Sequence, residues 1–236
     1  MTDPQVVPLD RLELTFEPRP WAYAERNRAA IDAFFARLKA DKPATWNGRV
    51  LLLGRRNISD RVLSGGFFET DFASFIEWRD RGFPEAAAIN CFAMAALQAA
   101  DGAFLLGVMG GHTVNAGRIY FPAGTPDPDD IVGGSVDLDG SVWRELTEET
   151  GLGRADVEPD AGWHAVLSGP RIALMKVLRS PLGATALRDR IADWLTTQPR
   201  PELGGVHVAR GPADLDPMMP DFIRVFLEHV WRVSSR

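Results

Sequence analysis

The sequence predicts an α/β fold in the broad sense, a mixed sheet flanked by helices. Three observations lead there. Apolar runs of strand length and amphipathic runs of helix length mix along all 236 residues, without the regular alternation of a doubly wound sheet. Hydrophobic residues make up 45% and charged residues 25%, the usage of a globular chain that can bury a full core without staples. No repeat, low-complexity tract or linker divides the chain, so a single domain over 1–236 is expected, with an N-terminal helical extension over 1–45 and a C-terminal helix within 212–236.

The elements follow in order. Trp21 to Ala40 reads as a helix, because Ala30, Ile31, Phe34, Phe35 and Leu38 form an apolar stripe and Pro43 ends it. Val50 to Leu53, bounded by Gly54, reads as a central strand. Asp71 to Arg81 reads as a helix stopped by Gly82. Pro84, placed for a first turn, opens an expected helix that reaches Ala100. Ala103 to Met109 and Arg118 to Phe121 read as strands joined by a loop. Ser141 to Thr150 reads as a helix, with Asp137 or Asp139 as N-cap and Gly151 as its stop. Strands are expected around a Ser168-Gly169-Pro170 turn, then a helix over 184–197, a strand over 205–208 and a helix over 221–233.

Composition excludes several function classes. With 26 basic and 32 acidic side chains the net charge is −6. The pI near 5.3 argues against a nucleic-acid duplex or an anionic membrane as partner, but leaves room for a small phosphate pocket. Cys91 is the single cysteine and reads as a buried thiol, which fits a reducing compartment. Met1 to Leu14 lacks the basic and apolar regions of a signal peptide, so a cytoplasmic location is expected. The apolar stretch 86–111 is interrupted by Asn90, Gln98 and Asp101, against a membrane span. Walker, zinc-type cysteine, His-Glu-x-x-His and Gly-x-Ser-x-Gly patterns are absent from the sequence.

The informative segment is Arg144 to Leu152. At about 100° per residue, Glu145, Glu148 and Glu149 fall within an arc of about 100°, and Val142, Trp143 and Leu146 cover a separate arc. The helix thus has an apolar face for a core and a face of three mutually repelling carboxylates. A hard divalent cation turns that repulsion into binding, and magnesium favours carboxylate oxygens together with water and substrate phosphate. Arg144, four residues before Glu148, is in position to brace that carboxylate. A solvated acidic helix face is the commoner reading of a bare Glu-x-x-Glu-Glu pattern.

Here the context is richer. Arg144-Glu145-Leu146-Thr147-Glu148-Glu149-Thr150-Gly151-Leu152 matches every fixed position in the second half of the Nudix box, and Phe121-Pro122-Ala123-Gly124 is similar to the strand end that precedes it. The chain therefore resembles the Nudix hydrolase family over roughly Trp46 to Gly211, with specific motifs between Phe121 and Leu152. The resemblance implies an α/β/α sandwich and a magnesium- or manganese-dependent pyrophosphohydrolase. Its substrate would be a small nucleotide-type diphosphate, a nucleoside diphosphate joined to another group. It implies Arg144, Glu145, Glu148 and Glu149 as catalytic residues, and Glu145, Glu148, Glu149 and the Ala123 or Gly124 carbonyl as metal ligands.

One departure stands out. The family's glycine precedes its arginine by fourteen positions, whereas Gly124 precedes Arg144 by 144 − 124 = 20, so the loop is six residues longer. Counting forward from Gly124 gives Asp130 where the family has a loop-supporting glutamate; counting back from Arg144 gives Val136, next to Asp137. Asp130 is expected to brace the loop or to reach the metal and substrate. A calcium loop starting at Asp127 is rejected, since Ile131 and Leu138 stand at ligand positions.

Arg118, Tyr120 and Glu202 complete the candidates, the first two for substrate and Glu202 as a general base from a C-terminal loop. His112 and Asn115, in the loop 110–117, are options for base contact, though a plain hairpin connection is the commoner reading. The alternative function is a non-catalytic Nudix-fold sensor of a nucleotide or metabolite. The sequence leaves the substrate open among ADP-ribose-like compounds, nucleotide sugars, dinucleoside polyphosphates and coenzyme A derivatives. It also leaves open the oligomeric state, with a homodimer compatible.

Overall fold

The computed structural model describes residues 3–234. In chain order the elements are β1 (Gln5–Leu9), β2 (Arg11–Phe16), α1 (Ala22–Arg26), α2 (Arg28–Asp41), β3 (Arg49–Ser59), β4 (Val62–Asp71), α3 (Phe72–Asp80), β5 (Asn90–Gln98), β6 (Phe104–Met109), β7 (Ile119–Tyr120), β8 (Ile131–Val132), β9 (Ser135–Val136), α4 (Leu138–Thr150), β10 (Glu158–Pro159), β11 (Trp163–Ser168), β12 (Arg171–Arg179), α5 (Ala184–Thr197), β13 (Leu203–Ala209) and α6 (Asp221–Ser234). They form two mixed sheets flanked by helices, as the sequence predicts. The larger sheet runs β1-β11-β12-β5-β6-β13, with β10 added at β12 and β7 at β6; the smaller runs β3-β4-β2-β9-β8.

The central strand of the larger sheet explains the layering. Along β5, Cys91, Ala93, Ala95 and Leu97 point into a core shared with the smaller sheet, α4 and α5. Met94 and Ala96 point the other way, into a core closed by Phe222, Ile223, Phe226 and Leu227 of α6. The far face of the smaller sheet is covered by α1, α2 and α3 through Trp21, Ile31, Phe75 and Trp78. The period-two alternation of a strand thus serves two cores at once.

Several expectations need correction. The helix expected from Pro84 to Ala100 is β5, parallel to β12 and antiparallel to β6. Its alanines favour a helix in isolation, but burial on both faces of a sheet overrides that propensity. The N-terminal extension over 1–45 is not purely helical: β1 pairs with β11 and β2 lies between β4 and β9, so one short segment feeds both sheets. Val50–Leu53 belongs to β3, which is fully buried there yet ends the smaller sheet's order rather than sitting at its centre, and which continues past Gly54 through a bulge. The helix from Trp21 is interrupted at Asn27.

Candidate active site

The site is built around one turn held between the two sheets. Phe121 is buried edge-on against Phe104 and Phe226, with ring centroids 5.8 Å away in each case. The Ala95 N–H of β5 donates to the Pro122 carbonyl at 2.9 Å, and the Leu51 N–H of β3 donates to the Pro126 carbonyl at 2.7 Å. The intervening backbone, Ala123 to Thr125, is therefore fixed at both ends.

Helix α4 faces this turn. Asp137 caps it, its side chain accepting the Gly140 N–H at 2.9 Å, and Gly151 ends it in the left-handed region with φ of 69°. Of the two aspartates considered for the cap, Asp139 lies inside the first turn and accepts from the Trp143 indole N–H at 3.2 Å. Val142, Trp143 and Leu146 are buried in the core, as the helical arc predicts. The opposite face brings Glu149 to the turn, where its Oε1 accepts the Ala123 N–H at 3.3 Å. Glu145 abuts Gly124 so closely that a Cβ there would overlap its carboxylate. Glu148 is exposed.

Arg144 braces a different partner from the one its spacing suggests. It donates to Asp130 Oδ1 at 2.8 Å and approaches Glu145 Oε1 at 3.6 Å; no ion pair with Glu148 forms among the described residues. Asp130 is 2% exposed, and its other oxygen accepts the Asp127 N–H at 3.1 Å in a capping box over the 3-10 turn Pro128–Asp130. Both oxygens are engaged, so Asp130 stands as a loop brace in this structure.

The loop expansion has a simple form. Residues 131–136 make a β-hairpin in which Ile131 pairs with Val136 and Val132 with Ser135, around Gly133 and Gly134 at φ of 58° and 85°. Two consecutive positive φ values suit glycine and give the tight twist of a two-residue hairpin. Ser135 pairs with Thr15 of β2, and the Asp137 N–H donates to the Asp130 carbonyl at 2.8 Å, closing the hairpin's base. The six extra residues are thus an excursion onto the smaller sheet, leaving Asp130 at the forward-counted brace position.

The electrostatics follow from burial without sufficient counter-charge. Burial pushes the Glu145 carboxyl up to about 7; nearby Arg144 pulls it down, while Glu148, Glu202 and Asp130 raise it. Glu149, 5% exposed, is pushed well above the usual carboxylate range by burial, then by Glu145 and Glu202. Its Oε2 is buried with no hydrogen-bond partner among the described residues. Glu202 itself is exposed just before β13, and its carbonyl accepts the Gly110 N–H at 2.7 Å.

These residues fit a divalent cation by donor chemistry: hard carboxylate oxygens, one of them an orphaned buried atom, crowded on one face beside a fixed turn. Among the described residues no group of three or more His, Cys, Asp or Glu side chains already stands in a metal-holding arrangement. Cys91 is buried with its thiol pushed up by desolvation, which makes it a core residue rather than a nucleophile.

On its other side the turn opens into a pocket of about 550 Å³, lined by Ala123, Gly124 and Thr125 together with Arg118 and Tyr120. Asn115 also lines it, accepting from Arg79 at 3.3 Å and donating to the Tyr120 hydroxyl at 3.2 Å. His112 is exposed on the same loop. Sequence reasoning missed Asn90, Arg171 and the phenylalanines of this pocket. They come from α3 and the turn after it, β5, β12 and α6, with no local motif to join them.

No family model matches the chain, and no curated protein does. Solved structures do resemble it. A Nudix hydrolase from M. smegmatis, RenU, is 14% identical at a TM-score of 0.37, covering 61% of this chain and 84% of that one. The MutT protein of Methanosarcina mazei is 19% identical at a TM-score of 0.38, covering 63% and 96%. A mutant of the Bacillus subtilis pyrophosphohydrolase BsRppH is 11% identical at a TM-score of 0.38, covering 81% and 97%. At these values the reading of the site rests on the chain's own residues. No helix among the described residues is long and apolar enough to cross a membrane.

Proposed function

We propose that this chain is a Nudix-type pyrophosphohydrolase, dependent on magnesium or manganese. It would cleave the diphosphate linkage of a small substrate, a nucleoside diphosphate joined to another group. The observation that carries the reading is the meeting of the Arg-Glu-Leu-x-Glu-Glu-x-Gly-Leu helix with the Ala123–Gly124 turn, where half-buried Glu145 and buried Glu149 have too little counter-charge. Glu145, Glu148, Glu149 and the Ala123 carbonyl would hold the cation. Bound there, it would supply neutralisation of the diphosphate and a water of lowered pKa.

The chain's own part is positioning and proton transfer. Asp130 locks Arg144, and Arg144 in turn steadies Glu145. The Ala123 N–H fixes one oxygen of Glu149 and leaves the other without a protein partner. Glu202, close enough to raise the affinity of both carboxylates for protons, is the candidate to take a proton from the attacking water. Arg118 and Tyr120, on the pocket side of the turn, are the candidates to contact substrate. In-line displacement at phosphorus needs little more from a protein than position and charge. The Asp130–Arg144 brace supports this reading over a non-catalytic sensor, because Asp130 stands where the family's loop glutamate would and holds the lengthened loop to the helix.

The test is a mass-spectrometric panel of ADP-ribose, nucleotide sugars, dinucleoside polyphosphates and coenzyme A with magnesium or manganese. Metal-dependent cleavage at the diphosphate is expected, with turnover of Glu149→Gln lower by a factor on the order of a hundred. Ligand-induced stabilisation without turnover of any compound would favour the sensor instead.

A further inference from the structure

The loop between β6 and β7 carries a hydrogen-bonded chain that ends in the pocket. Its backbone is pinned. The Gly117 N–H donates to the Met109 carbonyl at 2.9 Å, the Arg118 N–H to the Asn115 carbonyl at 3.0 Å, and the Lys42 ammonium to the Thr113 carbonyl. Asn115 is thereby held between α3 and β7. Arg79 of α3, its Nε engaged with Asp80 at 2.8 Å, donates from Nη1 to the Asn115 side-chain oxygen at 3.3 Å. The Asn115 amide nitrogen donates in turn to the Tyr120 hydroxyl at 3.2 Å. All three residues line the pocket.

The direction of this chain follows from donor chemistry. A guanidinium has no acceptor, so Arg79 holds the Asn115 oxygen toward itself and turns the amide N–H toward Tyr120. The hydroxyl must then accept. A phenolic hydrogen prefers the ring plane, on one side of the oxygen or the other, and the amide N–H occupies one side. The hydrogen takes the remaining side, and no described residue accepts it. Burial above all, then the charges of Glu149 and Glu202, keep that hydrogen on the oxygen, outweighing Asn115 and Arg79. Arg118, two residues earlier, lines the same pocket, exposed and without an ion pair among the described residues. Two donors with no acceptor supplied by the chain suit an anionic oxygen brought by a ligand.

We propose that Arg79 and Asn115 are positioning residues that set Tyr120 as a one-way hydrogen-bond donor to a diphosphate oxygen of the substrate. That the oxygen belongs to a diphosphate rests on the hydrolytic reading above. Arg79 sets the amide, the amide sets the hydroxyl, and only the hydroxyl touches the substrate. The loop 110–117 then serves both sides of the turn, because its Gly110 N–H also holds the Glu202 carbonyl at 2.7 Å.

The decisive variant is Asn115→Asp. It keeps the shape and can still pair with Arg79, but it offers Tyr120 an acceptor in place of a donor, so the hydroxyl hydrogen turns away from the pocket. The chain has two tyrosines, so tyrosine labelled with carbon-13 at Cζ gives two resonances, and Tyr23, whose hydroxyl already donates to Glu77 at 2.7 Å, is the reference. Methylenediphosphonate, a carbon-bridged diphosphate, is added after magnesium. The Tyr120 resonance is expected to move and the Tyr23 resonance to stay; in Asn115→Asp the Tyr120 movement should be largely lost. On a diphosphate that the chain cleaves, Tyr120→Phe and Asn115→Asp should each lower kcat/KM by about tenfold, the loss of one bond to a charged oxygen. The double variant should stay within about twofold of Tyr120→Phe, because the amide acts only through the hydroxyl; independent structural damage would multiply instead. Where Asn115→Asp does not fold, calorimetric affinity of Tyr120→Phe for methylenediphosphonate decides, with a loss of about tenfold expected. An unmoved Tyr120 resonance, a movement that persists in Asn115→Asp, or unchanged affinity in Tyr120→Phe overturns the proposal. A chain that shows the expected movement and its loss but cleaves no diphosphate keeps the donor and loses the hydrolase reading. One that cleaves diphosphates at an unchanged rate in both variants loses the donor alone.

Discussion

The two sides of the Ala123–Thr125 turn are built on opposite electrostatic plans. On the helix side, Glu145, Glu148, Glu149 and Glu202 face Arg144, whose shortest bond is already given to Asp130. On the pocket side, Arg79 is matched by Asp80 at 2.8 Å and Arg171 by Asp221 at 3.5 Å, and aromatic rings fill the space between. Acidic groups are in excess on the helix side, where a cation is expected to act. On the pocket side four arginines, Arg79, Arg118, Arg171 and Arg224, meet two aspartates, Asp80 and Asp221, and the excess charge is positive. The same turn that divides them belongs to both, so chemistry and recognition are set by one short piece of backbone.

The largest expected effect comes from crossing that divide. Gly124→Ala introduces a Cβ into the space of the Glu145 carboxylate, which must swing away. Because only the end of a flexible side chain has to move, the melting temperature should change little. Turnover should fall on the order of a hundredfold, as a displacement of about 1 Å can cause. Steady-state kinetics beside a thermal melt check this, and an unchanged rate would separate Gly124 from the acidic side.

Breaking the brace comes next. Asp130→Asn weakens a charge-assisted bond at a buried position and should cost about 2 kcal/mol, lowering Tm by about 4–8 °C. Turnover should fall as well, since Arg144 is freed to swing onto Glu145 or Glu148. A silent variant in both assays would remove the brace from the account.

A pH series in chelator isolates the acidic side. In the metal-free fold Glu145 keeps its proton up to about 7, whereas an unfolded carboxyl loses it near 4.5. Between those values the folded state binds more protons than the unfolded one. The contribution of Glu145 to the stability of the metal-free chain should therefore be fullest below the unfolded value and be lost as pH rises through about 7. Glu145→Gln should flatten that decline. Denaturant midpoints measured across the window would show a rise instead of a decline if the carboxylate were compensated.

The smallest effect belongs to the helix start. Asp137→Ala removes the cap and should cost about 1 kcal/mol, or about 2–4 °C in Tm, with turnover little changed. Asp139→Ala should cost less, because Asp139 meets only the Trp143 indole and, at 4.0 Å, Arg154. The reverse order in thermal melts would contradict the cap assignment.

The acidic side was legible because its signals are local. The carboxylates, the apolar arc and the stop at Gly151 lie within one helix, and their spacing carries the geometry. The bond between Arg144 and Asp130 spans a separate loop, so the local partner Glu148 seemed nearer in sequence than it is in space. The six added residues read as an uncertain loop because two glycines and a two-residue strand on each side carry little periodicity; their pairing with β2 supplies the order. The pocket side was legible only at its mouth, through Arg118, Tyr120 and the turn. Its inner end depends on Asn90 starting a strand, and the alanines that follow argue for a helix until two cores claim opposite faces of β5. Arg171 then arrives beside Asn90 through a strand register that no spacing rule announces.

The central claim is that the acidic face at the turn is a divalent-cation site, and cation binding to the folded chain tests it directly. Melting temperature is measured against magnesium and manganese concentration for the natural chain, Glu145→Gln and Glu149→Gln. The account predicts a rise that grows with the logarithm of cation concentration in the natural chain and is much reduced in both variants. Equal melting temperatures in chelator and in saturating cation, or an undiminished rise in the variants, would contradict it.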